Sequence, residues 1–221
     1  MVSLIKKGMS LGLVLAAVLS VPAFAQVASI DYIGFGYETG GIFPSDPGDE
    51  LVVAAIADWV DAEFGVDLGA DELTFHVYGL ISTGQFSSGG NTVVAYTGGF
   101  LEIYQDASKN ADWGVNPPNA TSPGTFSDGS LFFQGSFNDF TLFFTPDGNG
   151  AFEGSLDALG GTMIDGSCAD CVYSWGGSFT RDAGAQIPGG YHLQIDGVFQ
   201  IDAAVSSDTS NWGSVKALFN N

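Results

Sequence analysis

Three groups of residues have the types and spacing to do chemistry. Asp147, Asn149 and Glu153 read D-x-N-x-x-x-E across the turn Pro146-Asp147-Gly148-Asn149-Gly150. Hard oxygens at alternate positions of a tight loop suit calcium, although the full ligand spacing of a calcium loop is incomplete here. A plain hairpin turn accounts for the same residues. Calcium is therefore the one cofactor to test, and no other is indicated. The second group is Cys168-Ala169-Asp170-Cys171. In an exported chain two cysteines this close form a disulfide staple, and no helix follows them to lower a thiol pKa for redox work. The third group lies in the polar stretch 105–129, where Lys109, Asn110, Asp112, Trp113 and Asn116 surround one indole. A Trp ring with amide and charged neighbours suits a ligand-contacting flap. The competing reading is a cover that tucks Trp113 onto a sheet edge or a barrel end.

A catalytic set is harder to assemble. His76 and His192 are the only histidines; both fall on polar strand faces, and neither stands at metal-ligand spacing. No G-x-S-x-G surrounds a serine within residues 26–221. A glycosidase-type pair of carboxylates stays open, because 25 acidic residues offer many pairs and only separation in space decides among them. Trp59 and Trp175 read as core.

The elements that must position these groups are strands. Residues 1–25 read as an export signal: Lys6 and Lys7, an apolar run from Leu11 to Val21, and Ala23-Phe24-Ala25 before Gln26. That run is too short to span a bilayer. Residues 26–221 are then a single all-β domain. Its basic residues are Lys109, Arg181 and Lys216, and the whole chain carries a formal charge of −20, so nucleic acid and anionic membrane surfaces are poor partners. Eighteen Phe argue against acidic disorder.

Alternation marks strands at 27–37, 73–81, 92–96, 100–104, 151–159, 171–180 and 191–201. Gly98–Gly99 reads as a bulge. Asn138–Asp139 reads as a tight turn between strands at 131–137 and 140–144. Residues 51–60 fit a buried strand, or one short helix near 49–64 with Val52, Ile56, Trp59 and Phe64 on one stripe. A last short element is expected at 212–219. Nine to eleven strands with Gly-rich turns predict an antiparallel β-sandwich or jelly roll, or a β-barrel.

The segment IYQDASKNADWGVNPPNATSPGTFSDGSLFFQGSF and the ending NWGSVKALF resemble exported bacterial β-rich proteins of the PEP-CTERM-associated type. The resemblance implies export, an all-β fold and a secreted or surface-matrix role, and it supplies no active site. No Pro-Glu-Pro motif or hydrophobic span follows, so free secretion, with periplasm or cell surface as variants, is the expected destination.

The first functional expectation is a non-enzymatic, acidic, secreted protein of the extracellular space or matrix that acts by surface interaction. Its partners would be polysaccharide or other matrix components, with no membrane span. The alternative is a carbohydrate- or small-ligand-binding module using the 105–129 loop, and behind it a glycosidase-like enzyme on a jelly roll.

Overall fold

The computed structural model describes residues 27–114, 124–164, 171–181 and 187–202. The signal segment, Asn116, Cys168 and residues 212–219 lie outside them. Alternating apolar residues give nine strands: β1 (Val27–Glu38), β2 (Glu50–Val60), β3 (Glu72–Ser88), β4 (Asn91–Thr97), β5 (Phe100–Asp106), β6 (Ser130–Phe144), β7 (Gly150–Gly160), β8 (Val172–Thr180) and β9 (Leu193–Asp202). The ambiguous run 51–60 is strand, and the only helical turn near it is a 3₁₀ turn at Ala62–Phe64.

The strands form one antiparallel meander that closes on itself. β1 pairs with β2 on one edge and with β9 on the other, from Val27↔Asp202 to Gly36↔Leu193. β5 and β4 both lie between β3 and β6, each along one half of those two long strands. The circuit is thus an eight-stranded closed barrel, with β4 as the extra strand in line with β5. Of the expected architectures the barrel holds and the sandwich does not. Gly98 (φ 69°) and Gly99 (φ 92°) make the break between β4 and β5, a backbone region that residues with a Cβ avoid. Asn138–Asp139 is not a turn. β6 runs straight through it, and the pairing with β7 shifts between Phe137 and Asp139, which is a bulge.

The inward phase of each strand is apolar and large. Tyr32, Phe75, Phe133, Phe140, Phe199 and Trp175 are all almost fully buried. Tyr32 and Trp175 stack at 5.4 Å, and Trp175 also meets Phe152 (4.8 Å) and Phe140 (5.7 Å). Eight strands enclose a space that side chains can fill, and these rings fill its middle. Each buried aromatic side chain contributes about 1.5–3 kcal/mol. Gly197 makes room for the packing: a Cβ there would stand 2.5 Å from the Tyr32 hydroxyl, which donates to the Gly176 carbonyl at 3.3 Å.

The outward phase is mixed. Asp58, Asp139, Glu153, Asp157 and Asp196 are exposed along it, together with Ile33, Trp59, Phe86 and Phe143. Trp59, expected in the core, is 48% exposed, whereas Trp175 is 1% exposed. No helix among the described residues is long and apolar enough to cross a membrane.

Candidate functional site

The sequence points first to the loop between β5 and β6, and the structure gives its polar groups partners within the chain. The Lys109 ammonium donates to the carbonyls of Leu68 (2.7 Å) and Gly69 (3.2 Å). The amides of Asn110 and Ala111 donate to the Glu72 carboxylate at 2.8 and 3.0 Å, and the Asn110 side chain donates to Asp128 at 3.1 Å. Asp112 accepts from the Gly114 amide at 2.8 Å. The Trp113 indole N–H donates to the Ala54 carbonyl at 3.0 Å. Its ring meets Phe35 edge-on at 5.2 Å and Phe126 at 5.3 Å.

The described parts of this loop, 105–114 and 124–129, therefore form a strap on the outside of the barrel. It covers outward residues of β1, β2 and the start of β3, and Phe35, Tyr37, Val52, Trp113, Ile187 and Tyr191 form a second small core beneath it. The strap's described parts, 105–114 and 124–129, lie on the barrel wall, not across a mouth. Tyr191 belongs to this outer cluster rather than to the inward phase that the alternation of 191–201 implied, because β9 begins two residues later at Leu193.

The other sequence-derived groups separate in space. Asp147 accepts from Thr145 and from the Asn149 amide, and these bonds lower its pKa. The Asn149 side-chain oxygen accepts from Thr180 (2.8 Å) and from the Arg181 amide (3.0 Å). Glu153 stands on β7 opposite Thr141. Among the described residues no three His, Cys, Asp or Glu side chains gather as a metal site. Cys171 packs half-buried against the main core, and its expected partner Cys168 lies outside the described residues. Both histidines are half-buried, not exposed as expected. Burial lowers the pKa of each, and Arg181 lowers that of His192 further. His192 accepts the Glu38 amide at its Nδ1 (3.1 Å).

Glu38 anchors a buried polar cluster at one end of the barrel. It accepts from the hydroxyls of Ser45 and Tyr96 (2.8 Å to Tyr96), and Ser45 meets Ser82 at 2.7 Å. Burial raises the Glu38 pKa, and the Ser45 and Tyr96 bonds oppose that rise. Glu38, Ser45, Ser82 and Tyr96 are all buried, so the cluster reads as a closure of this end rather than a binding site.

The arrangement best placed to meet a ligand is one the sequence reading did not assemble. In register across β3, β5 and β6, His76 stands opposite Glu102, and Glu102 opposite Gln134. All three point outward, on the wall next to the strap. The Glu102 carboxylate accepts from Tyr78 (3.0 Å), Tyr104 (2.6 Å) and the Gln134 amide (2.7 Å). His76 stacks on Tyr78 at 4.8 Å, and Tyr78 tilts against Phe100 at 5.6 Å. Burial and the bonds to Glu102 raise both tyrosine pKa values. Three aromatic side chains thus frame one fixed carboxylate and one amide on the outer wall. The signal for it was a histidine and a tyrosine in the polar phase of β3, but their convergence on Glu102 depends on two strand registers. No protein-family model matches the chain, and no match is found among curated proteins or solved structures.

Proposed function

We propose that the protein is an exported, non-enzymatic binding module whose barrel is a rigid scaffold and whose outer β3–β5–β6 wall takes neutral polysaccharide. The observation that carries this reading is the ring of Tyr78, Tyr104 and Phe100 around Glu102 and Gln134, outside a barrel whose middle is filled. Sugars present apolar C–H faces and a rim of hydroxyls, so an aromatic face beside a carboxylate and an amide suits both. The charge of −20 disfavours acidic polymers. The exposed carboxylates along the outward phase oppose a lipid-facing barrel, whose outer band is apolar. Three donors fix Glu102 as an acceptor, which favours binding over glycosidase chemistry. The ligand surface is thereby moved from the 105–129 loop to the adjacent wall.

Affinity electrophoresis through gels carrying dextran, mannan or hydroxyethyl cellulose tests the reading. At least one neutral polymer should retard the protein, and Tyr78→Ala or Tyr104→Ala should weaken that retardation about tenfold, the scale of one lost aromatic contact. Equal retardation of wild type and both variants, or none by any neutral polymer, would refute it.

A further inference from the structure

At the barrel end opposite Glu38 the packing of the described residues stops short of the mouth. Ala28 of β1, Phe132 of β6, Ile201 of β9, Phe64 and Met163 line a cavity of about 410 Å³ there. Its side walls are of two kinds: the phenyl rings of Phe64 and Phe132 lie 6.1 Å apart, and Met163 brings an adaptable thioether. The rings of Phe133, Phe199 and Tyr173 pack together in the core, with Phe133 and Phe199 at 4.8 Å. Gln105, Thr162 and Glu63 add polar groups to the lining, and the Gln105 amide is oriented by donating to Asp71.

We propose that this mouth is a binding site for a small, neutral, largely apolar molecule that carries a hydroxyl or carbonyl group. The cavity falls within the size range of small-molecule sites, and apolar walls with a few polar groups are the usual make-up of such sites, which favour barrel mouths. The two ends of one barrel differ here. Near Glu38 the buried Ser45, Ser82 and Tyr96 meet the carboxylate or one another, whereas among the described residues Phe64, Met163 and Ile201 are only partly buried beside the cavity at this end. The acidity of the chain selects against carboxylate ligands such as fatty acids. The site is separate from the polysaccharide wall and stands or falls independently of it.

The test uses the exported chain, residues 26–221, and N-phenyl-1-naphthylamine, a neutral apolar fluorophore. Met163 is one of three methionines, and the other two, Met1 and Met9, lie in the expected export signal. A ¹³C-methyl methionine label therefore reports from the mouth itself. The expected result is a saturable one-to-one rise in fluorescence with a saturable shift of the Met163 methyl resonance. Ala28→Phe and Met163→Trp fill the cavity from two different elements. Whichever of them keeps the wild-type circular dichroism should bind the probe at least tenfold more weakly. Should neither variant fold, the methyl resonance of the wild type decides. A fluorescence rise without a methyl shift would place the probe elsewhere and overturn the proposal. No rise at all would overturn it too, and so would unchanged affinity in a folded variant.

Discussion

Two stretches of the same barrel wall carry outward aromatic residues, and they are treated in opposite ways. Under the strap, Phe35, Tyr37 and Val52 meet Trp113, Tyr191 and Ile187 and form a core. On the neighbouring wall, no strap among the described residues covers His76, Tyr78, Phe100 and Tyr104. The difference lies in polar partners. Beneath the strap the hydroxyls of Tyr37 and Tyr191 are buried with no partner among the described residues, so their rings act there as apolar bulk. On the bare wall the hydroxyls of Tyr78 and Tyr104 donate to a carboxylate supplied by the sheet itself. Period-two alternation decides which residues point outward. Whether an outward aromatic becomes core or contact surface depends on what the neighbouring strands and loops bring to it.

Removing the ring that seals the covered side should have the largest effect. Trp113→Ala takes away the contacts with Phe35 and Phe126 and the bond to the Ala54 carbonyl. The expected loss is about 3 kcal/mol in urea unfolding, the lower end for truncating a large aromatic because the ring is only half-buried. Polysaccharide retardation of the folded fraction should stay as in wild type. A drop in retardation with stability intact would return the ligand role to Trp113 and reverse the comparison.

The next effect belongs to the point where the strap is tied down. Glu72 is 5% exposed and receives the amides of Asn110 and Ala111. Glu72→Ala leaves both donors without that partner, so a loss of about 2 kcal/mol is expected. Amide hydrogen exchange at 110 and 111 should rise well above the change elsewhere. Unchanged exchange there would mean that the strap is held by Trp113 and Lys109 without Glu72.

The sequence made some of this legible and hid the rest for physical reasons. Strands such as Leu73–Ile81 showed because alternation is local, and Gly98–Gly99 showed because a left-handed pair breaks a strand wherever it occurs. Asn138–Asp139 misled because turns and bulges use the same residues. Only the register of β7, with Leu156 opposite Phe137 and Ser155 opposite Asp139, decides between them. Barrel closure rests on β1 meeting β9, a contact between the two ends of the described chain. The 105–129 loop stood out by its length, yet the direction of Trp113 is set by Phe35 and Ala54, far away in sequence. Glu102 carried no local signal. Tyr78, Tyr104 and Gln134 find it only once three strands are in register.

The smallest effect is one of pH, and it distinguishes the two sides through His76. Burial lowers the His76 pKa from 6.5, against the opposing pull of Glu102 and Glu50. A histidine whose pKa is depressed by folding is favoured in its neutral form. Its contribution is fully present above the unfolded value of 6.5 and is lost as pH falls through the lower, folded value. Glu38 works in the opposite sense. Its pKa is raised from 4.5, so its contribution is present below that value and is lost as pH rises through the folded one. Wild type and His76→Gln share Glu38 and His192, so their difference in urea midpoint isolates His76. That difference should move in favour of the Gln variant as pH falls from about 7.5 to 5.5, the interval below the ordinary histidine pKa. Polysaccharide binding by wild type should weaken over the same interval, because a charged imidazole stacked on Tyr78 disturbs the ring that frames Glu102. A difference in midpoint that ignores pH would show that His76 is solvated on the bare wall, and that the two sides differ less in burial than their contacts indicate.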